Sequence, residues 1–242
     1  MYESIHCVSL RTIKYDDRRS IVTAWSLERG RVSFLIPAGS GREAQRRRAL
    51  MQPLCLFEGE CDIKPGRDLF TIRDVRPIQV LPDLCCDPAK AVVAMFISEI
   101  LERVLRESPP DEALTRFVFD AVIRLDAMRR PIGVANFPVL FMYKLGYFLG
   151  IEPDAGEWKP GWVFDMTEGQ FRSSAPVQGR WLDSDDTKAI VALHRMNFET
   201  AERIGISRAV RRRMLDAIIE YYGLHHTSLD GLKSLAVVSE IF

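Results

Sequence analysis

No apolar stretch of the 242-residue chain approaches the roughly 18–20 residues that span a bilayer. Its opening, MYESIHCVSLRTIKYDD, lacks the basic start and apolar block of a secretory signal, so neither secretion nor membrane integration is expected. Net charge is missing as well: 33 Lys+Arg balance 33 Asp+Glu. Together with 47% hydrophobic residues, that balance excludes an intrinsically disordered chain, which carries fewer apolar groups and more net charge. The five cysteines, Cys7, Cys55, Cys61, Cys85 and Cys86, are odd in number and contain no CxxC pair. They give no basis for a disulfide framework or a structural zinc site. Reduced thiols packed as small hydrophobes in a cytoplasmic protein are the expectation.

Catalytic motifs are equally scarce. His6, His194, His225 and His226 fall into no HExxH, HxH or Cys-His ligand spacing. There is no GxxxxGK(S/T), GxGxxG or GxSxG, and Gly39-Ser40-Gly41 is too short for a phosphate loop. Adjacent residues such as His225 and His226 point to different faces of a helix, and the pair reads as a helix C-terminus. Asp183-Ser-Asp-Asp186 reads as a helix N-cap with acids favoured by the helix dipole, ahead of a metal carboxylate set.

What the chain does have is asymmetry. Residues 1–80 hold 14 Lys+Arg against 10 Asp+Glu, so the remainder is acidic by the same margin. Between Leu10 and Leu50 stand ten basic side chains and four acidic ones: Arg11, Lys14, Arg18, Arg19, Arg29, Arg31, Arg42, Arg46, Arg47 and Arg48 are the bases. Such a concentration attracts a polyanion even when the whole protein is neutral. Nine of the ten are Arg, whose planar fork matches phosphate and stacks on bases. A solvated charged face is the competing reading.

Periodicity divides the chain in the same place. Ser4 to Ile13, Ser20 to Leu27, Arg31 to Ile36, Leu50 to Ile63 (kinked near Gly59) and Leu69 to Val80 read as five strands, the pattern of a small closed or partly closed β-barrel. Pro37 to Gly41 and the arginines after it read as a flexible loop between strands three and four. Beyond Pro82 the spacing becomes helical. Asp87-Pro88 looks like an N-cap with Pro at the first helical position. Apolar stripes follow from Val92 to Leu105, Leu114 to Leu125 and Val134 to Leu149. Glu152 to Trp181, rich in Gly, Pro, Asp and aromatics, reads as a folded loop or small β insertion. Thr187 to Phe198, Ser207 to Tyr222 and the tail from Ser228 read as helices again.

Taken in order, several segments resemble the RecO family of bacterial recombination-repair proteins. They are Val8-x-Leu10-Arg11-Thr12-x-Lys14-Tyr15-x-Asp17, Ile21-Val22, Gly30, the Arg-rich stretch from Gly39 to Arg48, Gln52-Pro53-Leu54, Tyr221-Tyr222-x-Leu224-His225 and Lys233-Ser234-Leu235. The resemblance spans nearly the whole chain. It implies an α+β, two-domain fold: an N-terminal five-stranded OB-fold barrel, DNA-binding, over 1–80, followed by a C-terminal α-helical domain over 81–242. It also implies a noncatalytic DNA repair and homologous recombination mediator, located in the cytoplasm with the nucleoid. Such a mediator binds single- and double-stranded DNA, anneals complementary strands and recognises the C-terminal tail of single-stranded-DNA-binding protein (SSB). It helps load RecA on SSB-coated DNA with RecR, and RecF. Many family members carry a four-Cys zinc element. The corresponding stretch here, Trp158 to Phe171, keeps Phe164-Asp165 and Gly169 but has no cysteine, so no metal or other cofactor is expected and the insertion near 152–181 is zinc-less.

An OB-fold groove holds single strands by phosphate attraction and base stacking. The expected DNA-binding residues are Arg11, Lys14, Tyr15, Arg18 and Arg19 around the first turn, with Arg42, Arg46, Arg47 and Arg48 as a mobile basic arm. Trp25 and Phe34 are further aromatic candidates, with core packing as the competing reading. For the acidic, apolar SSB tail, the candidates are Arg103, Arg116, Arg124, Arg129 and Arg130 beside the helical stripes; cations snorkelling over their own helices are the alternative. Arg211 to Arg213 form a further basic patch. Two other functions stay open: an OB-fold protein-interaction scaffold with incidental DNA affinity, and an enzyme with a pocket in Trp158 to Trp181.

Overall fold

The computed structural model describes residues 2–63 and 66–241. They form two compact units, Met1–Ala127 and Met128–Phe242.

The first unit begins with three antiparallel strands in meander order, β1 (Tyr2–Lys14), β2 (Arg19–Ser26) and β3 (Gly30–Pro37). The turn into β3 needs glycine twice over. Gly30 has φ +65°, and a Cβ there would lie 3.2 Å from the backbone N of Pro110 and 3.3 Å from the Trp25 ring. After helix α1 (Arg42–Leu50), β4 (Leu56–Asp62) pairs with the free edge of β1, and β5 (Ile72–Pro77) pairs with β4, giving the order β3-β2-β1-β4-β5. The open edges meet where Phe34 bridges Phe70 in parallel, with Leu35 N–H donating to Phe70 O at 2.8 Å and Phe70 N–H to Ser33 O at 2.9 Å. A five-stranded, OB-like barrel results.

Strand alternation fills its interior. Ile5, Cys7, Val22, Ala24, Val32, Phe34, Ile36, Met51, Phe57 and Cys61 form one buried cluster. Cys7 to Leu10 and Val22 to Ser26 are buried without alternation, because the opposite face is covered too. Three helices follow, α2 (Pro82–Cys86), α3 (Pro88–Val104) and α4 (Glu112–Ala127). α3 packs on β1, and Trp25 Nε1 donates to Thr115 Oγ1 of α4 at 2.8 Å. Asp87 caps α3, its carboxylate accepting from the N–H groups of Ala89 and Lys90. The division by packing therefore falls after Ala127, whereas the expected division at 80/81 follows the change from strand to helix periodicity.

One loop reading and one strand reading change. The stretch after Gly41 is helix α1, because Arg-Glu-Ala-Gln-Arg-Arg-Arg-Ala-Leu is composed of strong helix formers. Glu43 sits in its first turn and Arg47 and Arg48 in its last, each complementing the dipole. Strand four is shorter than read, starting at Leu56 instead of Leu50, because α1 and a turn with Leu54 at φ +61° occupy its expected beginning. The kink at Gly59 is present as a register shift between Glu58 and Glu60, where a Cβ would meet Arg73 O at 2.8 Å.

The second unit is built on α5 (Pro131–Phe148), whose run from Gly133 to Tyr143 is wholly buried. A three-stranded sheet follows, β6 (Val163–Asp165), β7 (Gln170–Arg172) and β8 (Trp181–Leu182), in the order β7-β6-β8. Phe164, Met166, Phe171 and Val191 form its core, with Trp158, Trp162, Leu182 and Tyr221 packed around them. Asp165, 2% exposed, accepts from the N–H groups of Thr167 and Glu168 and pairs with Arg172 at 2.8 Å. Then come α6 (Ser184–Arg195), α7 (Phe198–Ala201), α8 (Arg208–His225) and α9 (Lys233–Ile241). Asp183 caps α6 and Ser207 caps α8, as their positions predict. The N-terminus of α5 has no cap from its own segment. Glu202 supplies one, its Oε1 accepting from the N–H groups of Arg129 at 2.7 Å and Arg130 at 3.2 Å. No described helix is long and apolar enough to cross a membrane.

Candidate nucleic-acid interface

Eight of the ten basic residues between Leu10 and Leu50 lie at one end of the β1–β2 hairpin and on α1; Arg29, which pairs with Glu3, and Arg31 lie at the β2–β3 turn instead. β1 runs out of its partner β4 after Val8, so Arg11 to Lys14 are paired only with β2. The turn that follows, Tyr15 to Arg18, is held by the Tyr15 and Asp16 N–H groups donating to Arg19 O. Two contacts attach α1 to this end. Ser9 Oγ and Thr12 Oγ1 both donate to Met51 O, at 3.0 and 2.9 Å, fixing the exit of the helix on β1. Ala38 N–H donates to Arg18 O at 2.7 Å, and Arg48 Nη2 to Gly39 O at 2.9 Å, so the turn and the helix share the Ala38–Gly39 backbone between them.

Within that arrangement the charges differ in availability. Lys14 pairs with Asp17 at 2.6 Å and Arg19 with Asp16 at 2.6 Å. Asp16 is held below the usual carboxylate range, first by the hydrogen bond from Arg19 and then by the N–H of Arg18. Arg11 pairs with Glu102 at 3.3 Å. Arg47 lies 4.0 Å from Glu43 with its side chain only 23% exposed. Arg18, Arg42 and Arg46 are exposed and have no ion-pair partner among the described residues. Exposed ion pairs of this kind are worth little, so Lys14 and Arg19 can exchange a carboxylate for a phosphate at small cost. The basic arm is a helix and not the loop that the sequence suggests: the arginines stand on α1, of which only Ala44 is buried, and its exit, Met51, is sunk in the barrel core.

The aromatic candidates separate. Tyr15 is 56% exposed, with the Arg19 guanidinium 5.2 Å from its ring centre. Trp25 and Phe34 are fully buried, so neither can stack on a base. Alternation along β2 and β3 puts Phe34 into the barrel, and the helix-covered outer face takes Trp25.

The cations expected to meet a partner tail lie in both units. Arg103 on α3 pairs with Glu99 at 3.7 Å and Arg116 on α4 with Glu112 at 2.7 Å, both i,i+4 pairs on their own helices. Arg124 is exposed further along α4. Arg129 and Arg130 are exposed before α5, where their backbone N–H groups bind Glu202. Of the later patch, Arg213 is taken by Asp186 at 2.9 Å and Arg208 donates to Ser239 O and Glu240 O at the end of α9. Arg211, whose Nη1 donates to Ile206 O, and Arg212 border an apolar depression of α5, α8 and α9 floored by Ala135, Val139, Leu215 and Val238. No one-helix pattern could disclose that depression, since its walls come from three separate segments.

Residues 1–81 match the family description "Recombination protein O N terminal" and residues 86–236 "Recombination protein O C terminal". The chain belongs to the RecO family. It is 34% identical to the DNA repair protein RecO of Bacteroides fragilis and 34% identical to that of Phocaeicola vulgatus, with 97% of both chains covered in each case. It is 32% identical to that of Porphyromonas gingivalis over the same share. RecO membership carries a role in DNA repair and recombination. In the stretch Trp158 to Phe171, Phe164 and Phe171 belong to the buried core, with Trp158 and Trp162 packed against it. Among the described residues, no three His, Cys, Asp or Glu side chains gather as a metal site. A cavity beside this sheet is lined by Met142, Tyr143, Glu152, Phe164, Ile218 and Tyr221 among others; Tyr222 OH, also on its wall, donates to Met142 O at 2.6 Å.

Proposed function

We propose that this chain is a noncatalytic mediator of homologous recombination that binds DNA through the β1–β2 turn and α1. The residues assigned to phosphate are Arg11, Lys14, Arg18, Arg19, Arg42, Arg46, Arg47 and Arg48, with Tyr15 as a stacking platform. The observation that carries the reading is the attachment of α1 to the barrel end: it sets exposed arginines on a helix beside a second basic turn. A surface of this kind neutralises phosphates on either of two strands and lowers their mutual repulsion, which is what annealing requires. The family relationship supports the rest: strand annealing on single- and double-stranded DNA, recognition of the SSB tail, action with RecR and RecF, and loading of RecA. For the tail, Arg103, Arg116, Arg124, Arg129 and Arg130 remain the residues assigned by position. The depression bordered by Arg211 and Arg212 has the better shape for an acidic chain end with an apolar side chain, because it joins an apolar floor to cations.

The test is annealing of complementary oligonucleotides, bare and coated with cognate SSB, across a salt series. Annealing of both substrates that weakens with salt supports the mediator. Binding to SSB without any DNA binding at low salt would replace it with the protein-interaction scaffold.

A further inference from the structure

We propose that Cys55 and Cys85 are a peroxide-responsive dithiol that closes to a disulfide and ties the end of α1 to α2. The two Sγ atoms lie 3.9 Å apart, and a disulfide needs about 2.05 Å, a closure that side-chain rotation can supply. Both cysteines belong to the same compact unit. Each is held from its own side. Cys55 follows α1, with its Sγ 3.4 Å from Ala49 O and its carbonyl accepting from Ser9 N–H at 2.9 Å. Cys85 lies in α2, where the N–H of Leu84 donates to Asp126 Oδ1 at 2.7 Å.

The two sulfurs have different surroundings and therefore different parts to play. Cys55 is buried and Cys85 exposed. Burial, and next the neighbouring Cys85, push the Cys55 thiol up to about 12, so Cys55 stays protonated at neutral pH. Cys85 is the sulfur that peroxide reaches. Its thiolate attacks one peroxide oxygen: an S–O bond forms, the O–O bond breaks, and the departing hydroxide takes a proton to leave as water. Cys85 is then a neutral sulfenic acid. Cys55 sulfur attacks Cys85 sulfur: the S–S bond forms, the S–O bond breaks, and the Cys55 thiol proton goes to the departing hydroxide to give a second water. Two thiols and one peroxide become one disulfide and two waters. Exposed Cys86 is a competitor in sequence only, because adjacent residues of a helix point to different faces. Cys7 and Cys61 are sealed in the barrel core. A disulfide of this kind in a reducing compartment is transient and sensory, which is compatible with thiols that are reduced at rest.

The experiment treats the full chain with hydrogen peroxide, blocks remaining thiols by alkylation and maps peptides without reduction. The expected product is a monomer with the Cys55 and Cys85 peptides cross-linked, reversed by dithiothreitol and still formed in Cys86→Ser. Cys55→Ser should leave Cys85 to proceed to sulfinic acid, a readout that needs no disulfide in the variant. A Cys85–Cys86 link, a covalent dimer through Cys85 or Cys86, or sulfinic acid at Cys85 in the wild-type chain would each overturn the proposal.

Discussion

Replacing Arg42, Arg46 and Arg48 together with Ala isolates the contribution of α1 to DNA binding. These three are exposed, whereas Arg47 is mostly covered and faces Glu43. Alanine is the best helix former, and the substitutions remove the hydrogen bond from Arg48 to Gly39 O while leaving Met51 anchored to Ser9 and Thr12, so the helix persists. On single-stranded DNA each phosphate neutralised contributes about 0.7 to the slope of log affinity against log salt, so three contacts amount to about 2. The wild-type advantage should then shrink about 16-fold between about 50 and about 200 mM salt, since a fourfold change in salt is raised to that power. Fluorescence anisotropy with a labelled oligonucleotide, titrated at four or more salt concentrations, reads the slope directly. A charge-matched control removes exposed Arg106, Arg195 and Arg203 instead. An unchanged slope in the α1 variant, or an equal fall in the control, would refute the assignment: the first moves DNA off α1, and the second reduces the effect to net charge.

Three further outcomes test the architecture. A Cβ on Gly133 would lie 2.5 Å from Glu202 Cγ, so Gly133→Ala should cost about 1–3 kcal/mol in denaturant unfolding, and less in a Glu202→Ala background that vacates the space. Additive losses would refute that clash. Trp25→Phe removes a buried indole that donates to Thr115 and should cost about 2 kcal/mol with loss of the most blue-shifted tryptophan emission; an unchanged unfolding midpoint would mean that α4 is not held this way. Burial raises Tyr143, Tyr221 (to about 12) and Tyr222 above the ordinary phenol value. Because the folded values are the higher ones, this stabilisation is complete below about pH 10 and is lost as pH rises. Absorbance at 295 nm should show these phenols ionising only as circular dichroism reports unfolding. Ionisation of all tyrosines near pH 10 in a still-folded protein would contradict their burial.

Much of the second unit is legible in the sequence because helix signals are local. Asp87 before Pro88 shows the same in the first unit, and Asp183 before two further acids and Ser207 before an apolar stripe show it in the second: each marks a start with the side chain that satisfies it. The barrel strands are legible for the same reason, through period-two alternation and the Glu28-Arg29-Gly30 turn. α1 reads as a loop because two glycines before it signal one, while nine residues rich in strong helix formers outweigh that signal in the fold. Glu202 as the cap of α5 has no sequence signature at all, since donor and acceptor lie 73 residues apart.

Composition and periodicity alone determined that a basic β-rich segment precedes a helical one, that the thiols are no framework, and where most elements begin. Those properties depend on each residue and its near neighbours. Tertiary structure decided which charges are available, because pairing and burial depend on what the fold brings alongside: Lys14 and Arg19 meet carboxylates, Arg47 is covered, and Arg18, Arg42 and Arg46 stay open. It also decided that Trp25 faces helix α4 and not DNA, and that Cys55 and Cys85, 30 positions apart, lie within reach of each other.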